Sequence, residues 1–125
     1  MEIPKIWQEN ITKVADIKPI IQELIGQIKK DFGMFGEEIL FSENTEESYQ
    51  NLFSQLDSYL GTTFSHQTEK LYPILYRIDI SEKDIKKAIN QPNNTDFIGT
   101  ITELIILKEL QKVIIRRYYR MKEHG

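Results

Sequence analysis

His66 and Glu69 are the side chains whose types and spacing come nearest to a reactive pair. An imidazole and a carboxylate three residues apart share one face of a helix, the beginning of a metal site or an acid–base pair. The order argues against a metal. Helical dinuclear sites use Glu-x-x-His and need further carboxylates from neighbouring helices, and no such set recurs here. The other histidine, His124, falls in the last two residues, where fraying is the default. Glu37-Glu38 and Glu46-Glu47 offer adjacent carboxylates, but neighbours on a helix point roughly 100° apart and do not converge. There is no Gly-x-Ser-x-Gly, no glycine-rich phosphate loop and no Ser–His–Asp set. Without cysteine there is no thiolate nucleophile, disulfide or thiolate zinc site. These residues predict a non-enzyme with no catalytic residue, metal or cofactor. A carboxylate–metal enzyme around His66 and Glu69 ranks last among the alternatives.

The second constellation is cationic. Lys108, Lys112, Arg116 and Arg120 recur every four residues, with Arg117 beside them, and are the candidate partner-binding residues. Such a stripe suits phosphates or an acidic protein surface. The whole chain has a net charge of -3, cations are favoured at a helix C-terminus in any case, and no helix-turn-helix spacing leads into this segment. A protein partner or a second copy, as a homodimer, is therefore the first expectation, and nucleic acid the alternative. Residues 1–65 carry eleven acids and five bases, residues 66–125 eight acids and eleven bases, and no Lys or Arg stands between Lys30 and Lys70. Lys112, Arg116 and Arg120 should accordingly lie near acidic side chains of the 31–69 segment, in the same or a neighbouring molecule. Leu107, Leu110, Ile114, Tyr118 and Met121 lie roughly opposite and are expected to carry the packing. Arg77 and Asp79 are set among apolar residues, and one or the other is expected to satisfy loop or helix-terminal backbone groups.

The elements that would position these groups are helical. Ile17, Ile20, Ile21, Leu24, Ile25, Ile28 and Phe32 keep the i, i+3, i+4, i+7 spacing of one apolar stripe, with Asp16 as cap and Gly33 and Gly36 as terminators. Ile3, Ile6, Trp7, Ile11 and Val14 make a weaker helical pattern before it. The aromatic stretch 32–41 reads as a loop plugging one end of the core. A second helix is predicted over 45–60, with Tyr49, Leu52, Phe53 and Leu56 inward, Glu46 and Glu47 in its first turn and Gly61 ending it. A third spans 65–77, interrupted at Pro73. A fourth opens at Ser81-Glu-Lys-Asp84 with a capping-box pattern. After a turn at 91–94, a long helix runs over 94–123, apolar on nearly every side at its start. A helix of that kind is buried by several neighbours at once, so it should be the central post, with Ile105 and Leu110 almost fully buried.

At 125 residues, 40% apolar and 28% charged, the chain fits one globular domain, long enough to bury about two thirds of its unfolded surface. The opening residues lack a basic start followed by an apolar run, so no export signal is expected. No apolar run approaches the ~20 residues that span a bilayer. Leu75-Tyr-Arg-Ile-Asp-Ile-Ser-Glu82 with Ile101-Thr-Glu-Leu-Ile-Ile-Leu-Lys-Glu-Leu-Gln-Lys-Val-Ile-Ile-Arg-Arg117 resembles the carboxy-terminal half of a family of short bacterial helical proteins without assigned function. The resemblance implies a bacterial, cytoplasmic, helical protein and carries no activity, cofactor or site residue. The expectation is an all-α bundle of about four main helices over residues 1–125, acting as a cytoplasmic interaction or self-association module.

Overall fold

Ile21, Leu24, Ile28 and Phe32 do form a continuous buried stripe, and the helix that carries them is the first of five in a computed structural model describing residues 18–90 and 96–124. The described helices are α1 (Lys18–Gly33), α2 (Tyr49–Phe64), α3 (Tyr72–Arg77), α4 (Glu82–Ile89) and α5 (Phe97–His124). Short 3₁₀ turns at Glu43–Glu47 and Thr68–Lys70 join them, and no strand occurs among the described residues. The fold is an all-α bundle. The early helical pattern over residues 3–14, the Asp16 cap and the turn at 91–94 lie outside the described residues.

The end of α1 is set by Gly36 rather than Gly33. Gly36 has φ 78, its N–H donates to the Gly33 carbonyl at 3.1 Å, and the Glu37 N–H reaches back to Phe32 at 3.1 Å. These are the two bonds of a Schellman stop, which wants a left-handed residue and favours glycine. Beyond it Ile39 is buried and Phe41 packs against the core.

The second helix starts later and runs further than its periodicity predicts. Ser48 is the N-cap, its Oγ accepting from the Asn51 N–H at 3.1 Å, so Glu46 and Glu47 belong to the preceding 3₁₀ turn. Gly61 does not terminate it. The helix passes through Gly61 to bury Phe64, one turn beyond Leu60. Burying a phenylalanine contributes about 1.5–3 kcal/mol, which exceeds the ~1 kcal/mol a helical glycine costs. Leu52 and Leu56 are fully buried while Tyr49 and Phe53 pack partly against the core.

No single helix covers 65–77. Pro73 occupies the first turn of α3, where its missing N–H costs nothing, and the chain before it is a turn and a 3₁₀ segment. The short α3 then ends on a second Schellman stop. Asp79 N–H donates to Tyr76 at 3.1 Å and Ile80 N–H to Leu75 at 2.8 Å, with Ile80 and Leu75 both buried. The left-handed position here is Asp79, with φ 80. Aspartate tolerates that region less well than glycine. Asp79→Gly should therefore stabilise the protein by about 0.5–1 kcal/mol, read as a higher urea midpoint; a lower midpoint would mean that the side chain does more than fill the turn.

Ser81 and Asp84 cap α4 reciprocally, as the pattern predicts: Ser81 N–H donates to Asp84 Oδ2 at 3.0 Å and Asp84 N–H to Ser81 Oγ at 3.1 Å. Asp96 caps α5 through Gly99 N–H at 3.0 Å.

Helix α5 is packed by α1, α2 and α4, and Ile101, Ile105, Ile106, Leu110 and Val113 are buried along it. Ile105 and Leu110 are both at 0% exposure. The inward face is not the expected one. Of Leu107, Leu110, Ile114 and Tyr118 only Leu110 is fully buried, Tyr118 is exposed, and the Met121 side chain lies outside the described residues. At roughly 100° per residue, Lys112, Arg116 and Arg120 continue the same side of the helix as Ile101, Ile105 and Glu109. The basic stripe is the packing face carried past the apolar core.

Candidate functional site

α1 and α5 run antiparallel, and their polar side chains meet in sequence. Arg120 Nη2 donates to Glu23 Oε1 at 2.7 Å, and Arg117 Nη2 lies 3.5 Å from the same oxygen while donating to the Pro19 carbonyl at 3.1 Å. One turn on, Arg116 donates to Gln27 Oε1. Further along, Lys112 Nζ stands 3.7 Å from Asp31 Oδ2 and 3.1 Å from Glu109 Oε1. Four of the five predicted partner-binding cations are thus turned onto α1 of the same molecule. They meet only one acid of the 31–69 segment, Asp31; the others find Glu23 and Gln27, both nearer the chain's start. The fifth, Lys108, lies on another side, where its charge acts on Asp84. The Asp84 carboxyl is held low first by the backbone hydrogen bond with Ser81 and then, more weakly, by Lys108.

The inner end of this ladder is a buried charge cluster. Asp31 is 2% exposed and Glu109 is sealed at 0%. Arg77 Nε donates to Asp31 Oδ1 at 3.1 Å and Gln27 Nε2 to Asp31 Oδ2 at 3.1 Å. Arg77 therefore serves a buried carboxylate across the bundle, not the end of its own helix. Burial alone would raise the Asp31 carboxyl, but hydrogen bonds from Glu109 and Gln27, the Lys112 charge and the Arg77 bond together hold it below the ordinary 3.8. Glu109 goes the other way. Burial first, then its hydrogen bond to Asp31, push it from 4.5 up to about 9 against the opposing pull of Lys112. At neutral pH Glu109 is the acid and Asp31 its carboxylate, one proton between two groups too close to ionise together. Lys112 approaches Glu109 off the line a hydrogen bond needs, leaving both Glu109 oxygens without one until that proton is placed.

The pair resembles an acid–base couple in chemistry only. Solvent reaches neither carboxyl to any useful extent, so the cluster works as a fastener between α1, α3 and α5. His66 is exposed in the turn between α2 and the Thr68–Lys70 segment, so it and Glu69 do not share a helix face. Among the described residues no group of three or more His, Asp or Glu is placed to hold a metal ion.

Among the exposed side chains of the described residues are six large apolar ones, with Tyr76 of α3 standing by itself at 53% exposure. Leu40 is 81% exposed, Met34 63% and Phe35 43%, all within the loop that follows α1. At the other end of the α1–α5 pair Tyr118 and Tyr119 are each 59% exposed, their rings in edge contact at 5.6 Å. The sequence places the whole 32–41 stretch in the core plug; Phe32, Ile39 and Phe41 take that part. The alternation of Ile39 and Phe41 with Leu40 is the signal that turns Leu40 outward. Beside the loop, Tyr59 donates to Glu37 at 2.8 Å, and burial together with that bond pushes its phenol upward. Compared with known protein families, curated proteins and solved structures, the chain matches none.

Proposed function

We propose that the protein is a non-enzymatic helical module that associates with a protein partner or with a second copy of itself through the 34–40 loop. The observation that carries this reading is the outward display of Met34, Phe35 and Leu40 within seven residues. Exposed large apolar side chains gathered in one place mark association surfaces more often than isolated ones do. The location we propose is the bacterial cytoplasm, supported by the lack of cysteine. No described helix is long and apolar enough to cross a membrane.

Nucleic-acid binding through the basic stripe has less support. Glu23, Gln27, Asp31 and Glu109 already engage the cations that would meet phosphates. The test is the solution mass of the protein as isolated from its own cell, alone and as Phe35→Glu/Leu40→Glu. A mass above the monomer that returns to the monomer in the double variant is expected. Equal masses for the two proteins would remove the loop from the mechanism.

A further inference from the structure

The two halves of α5 are held in different ways. Ile101, Ile105 and Ile106 anchor its start, and Leu110 and Val113 are the last of its described side chains to be fully buried by the core. From Lys112 on, its grip on α1 is mostly polar: Lys112 on Asp31, Arg116 on Gln27, Arg117 on the Pro19 carbonyl and Arg120 on Glu23. Exposed pairs of this kind stabilise little, and a segment with few buried apolar contacts opens more readily than the body it belongs to. Glu109 stands at the root of this segment. It is fully buried, and neither of its carboxyl oxygens is hydrogen-bonded until a proton joins it to Asp31.

The polar groups that face the Asp31–Glu109 pair are Gln27 from α1, Arg77 from α3 and Lys112 from α5 itself. The other helices packed on α5 turn their ionisable groups elsewhere. Asp57 of α2 accepts from Thr102, Tyr49 of α2 is acted on by Glu103, and Asp84 of α4 by Lys108. Once Glu109 ionises, its bond to Asp31 becomes a repulsion between α1 and α5. Lys112 does not offset this in favour of docking, because its attraction to Glu109 lies within α5 and travels with the helix. Lys112 and Arg77 are also 32% and 36% exposed, so solvent screens both charges.

We propose that residues 109–120 of α5 open from α1 as a local unit while residues 101–106 stay docked, and that the proton shared by Asp31 and Glu109 is what keeps the segment shut. This device is separate from the 34–40 loop. Opening gives Glu109 to water and frees Arg116, Arg117 and Arg120 from Gln27, Pro19 and Glu23. Burial holds the docked Glu109 carboxyl at about 9 against the ordinary 4.5. Between those values the docked segment holds a proton that the open one has released. Docking is therefore firmest below 4.5 and weakens as pH rises, opening becoming up to about tenfold more frequent per pH unit. Asp31, held below 3.8, stays ionised throughout.

Amide hydrogen exchange on the purified chain at pH 6 and pH 8, corrected for the intrinsic rate at each pH, tests this. Residues 112–118 are expected to be at least about tenfold less protected than residues 101–106 and 52–60 at both pH values, the mark of a sub-global opening. Their protection should fall by a further ten- to hundredfold or so between pH 6 and pH 8. In Glu109→Gln, which has no proton to lose, 112–118 should remain the weaker segment but show no such fall. Equal protection in 112–118 and the core would mean that the segment opens only with the whole fold. A weaker segment whose protection ignores pH would mean that it frays without exposing Glu109. A fall in Glu109→Gln as steep as in the wild type would assign the proton to another group. Each of these overturns the proposal, and the first two are read on the unaltered protein, whatever the variant does.

Discussion

Ile105→Ala and Leu110→Ala are each expected to cost about 2–5 kcal/mol, the range in which large-to-small changes in a close-packed core fall. Both side chains are at 0% exposure on a helix that α1, α2 and α4 enclose. Little of the resulting cavity can be filled by local collapse, because the neighbours on α1 and α2 are themselves committed to the same core. Urea midpoints read the effect directly, and an unchanged midpoint for both variants would contradict a central position for α5. A matching substitution at Leu107, which is half-buried, should cost less.

The other large effect belongs to Glu109 and depends on pH. Its folded-state pKa, about 9, lies above the ordinary 4.5 that holds in the unfolded chain. Between those values the folded protein holds a proton that the unfolded chain has released, so stability falls as pH rises, by up to about 1.4 kcal/mol per unit. Asp31 has the opposite sign: its contribution is complete above 3.8 and is lost only as pH falls through its lowered folded value. From pH 5 to 8 Asp31 is thus constant and Glu109 sets the slope. Glu109→Gln keeps the shape and a donor for Asp31 but has no proton to lose. It should leave stability at pH 5 nearly unchanged and raise it at pH 8 by on the order of 1–3 kcal/mol. Denaturation curves that stay parallel to the wild type across this range would show that Glu109 ionises inside the fold without penalty.

Local pattern was enough wherever a segment's own residues decide its structure. The α1 stripe, the Ser81–Asp84 capping box and the burial of Ile105 and Leu110 follow from spacing alone. Where distant packing decides, spacing misleads. Gly61 reads as a terminator until Phe64 is seen to need one more turn of helix to reach the core. Asp31 and Glu109 stand on the apolar faces of their helices, three residues after Ile28 and four after Ile105, and a charge at such a position reads as a break in the stripe. What stabilises each is the other, 78 residues away, together with Arg77 and Lys112. No periodicity carries that information. Lys112, Arg116 and Arg120 follow the buried face of α5 in register, yet cations read as solvent-facing. Their long stems lie along apolar surface while the charged heads reach acids and amides on α1.

The antiparallel match of α1 with α5 also governs the order in which structure can appear during synthesis. Its hydrogen bonds join residues 89 to 98 positions apart. Closing so long a loop costs about 4 kcal/mol of chain entropy beyond a constant term, and this is recovered only once α5 docks. The ribosome makes α5 after the other four described helices, so the stripe of α1 lacks its principal cover while they emerge. The growing chain must hold Ile21, Leu24, Ile28 and Phe32 in transient contacts, or against a chaperone, until α5 arrives and the bundle closes in a late, cooperative step.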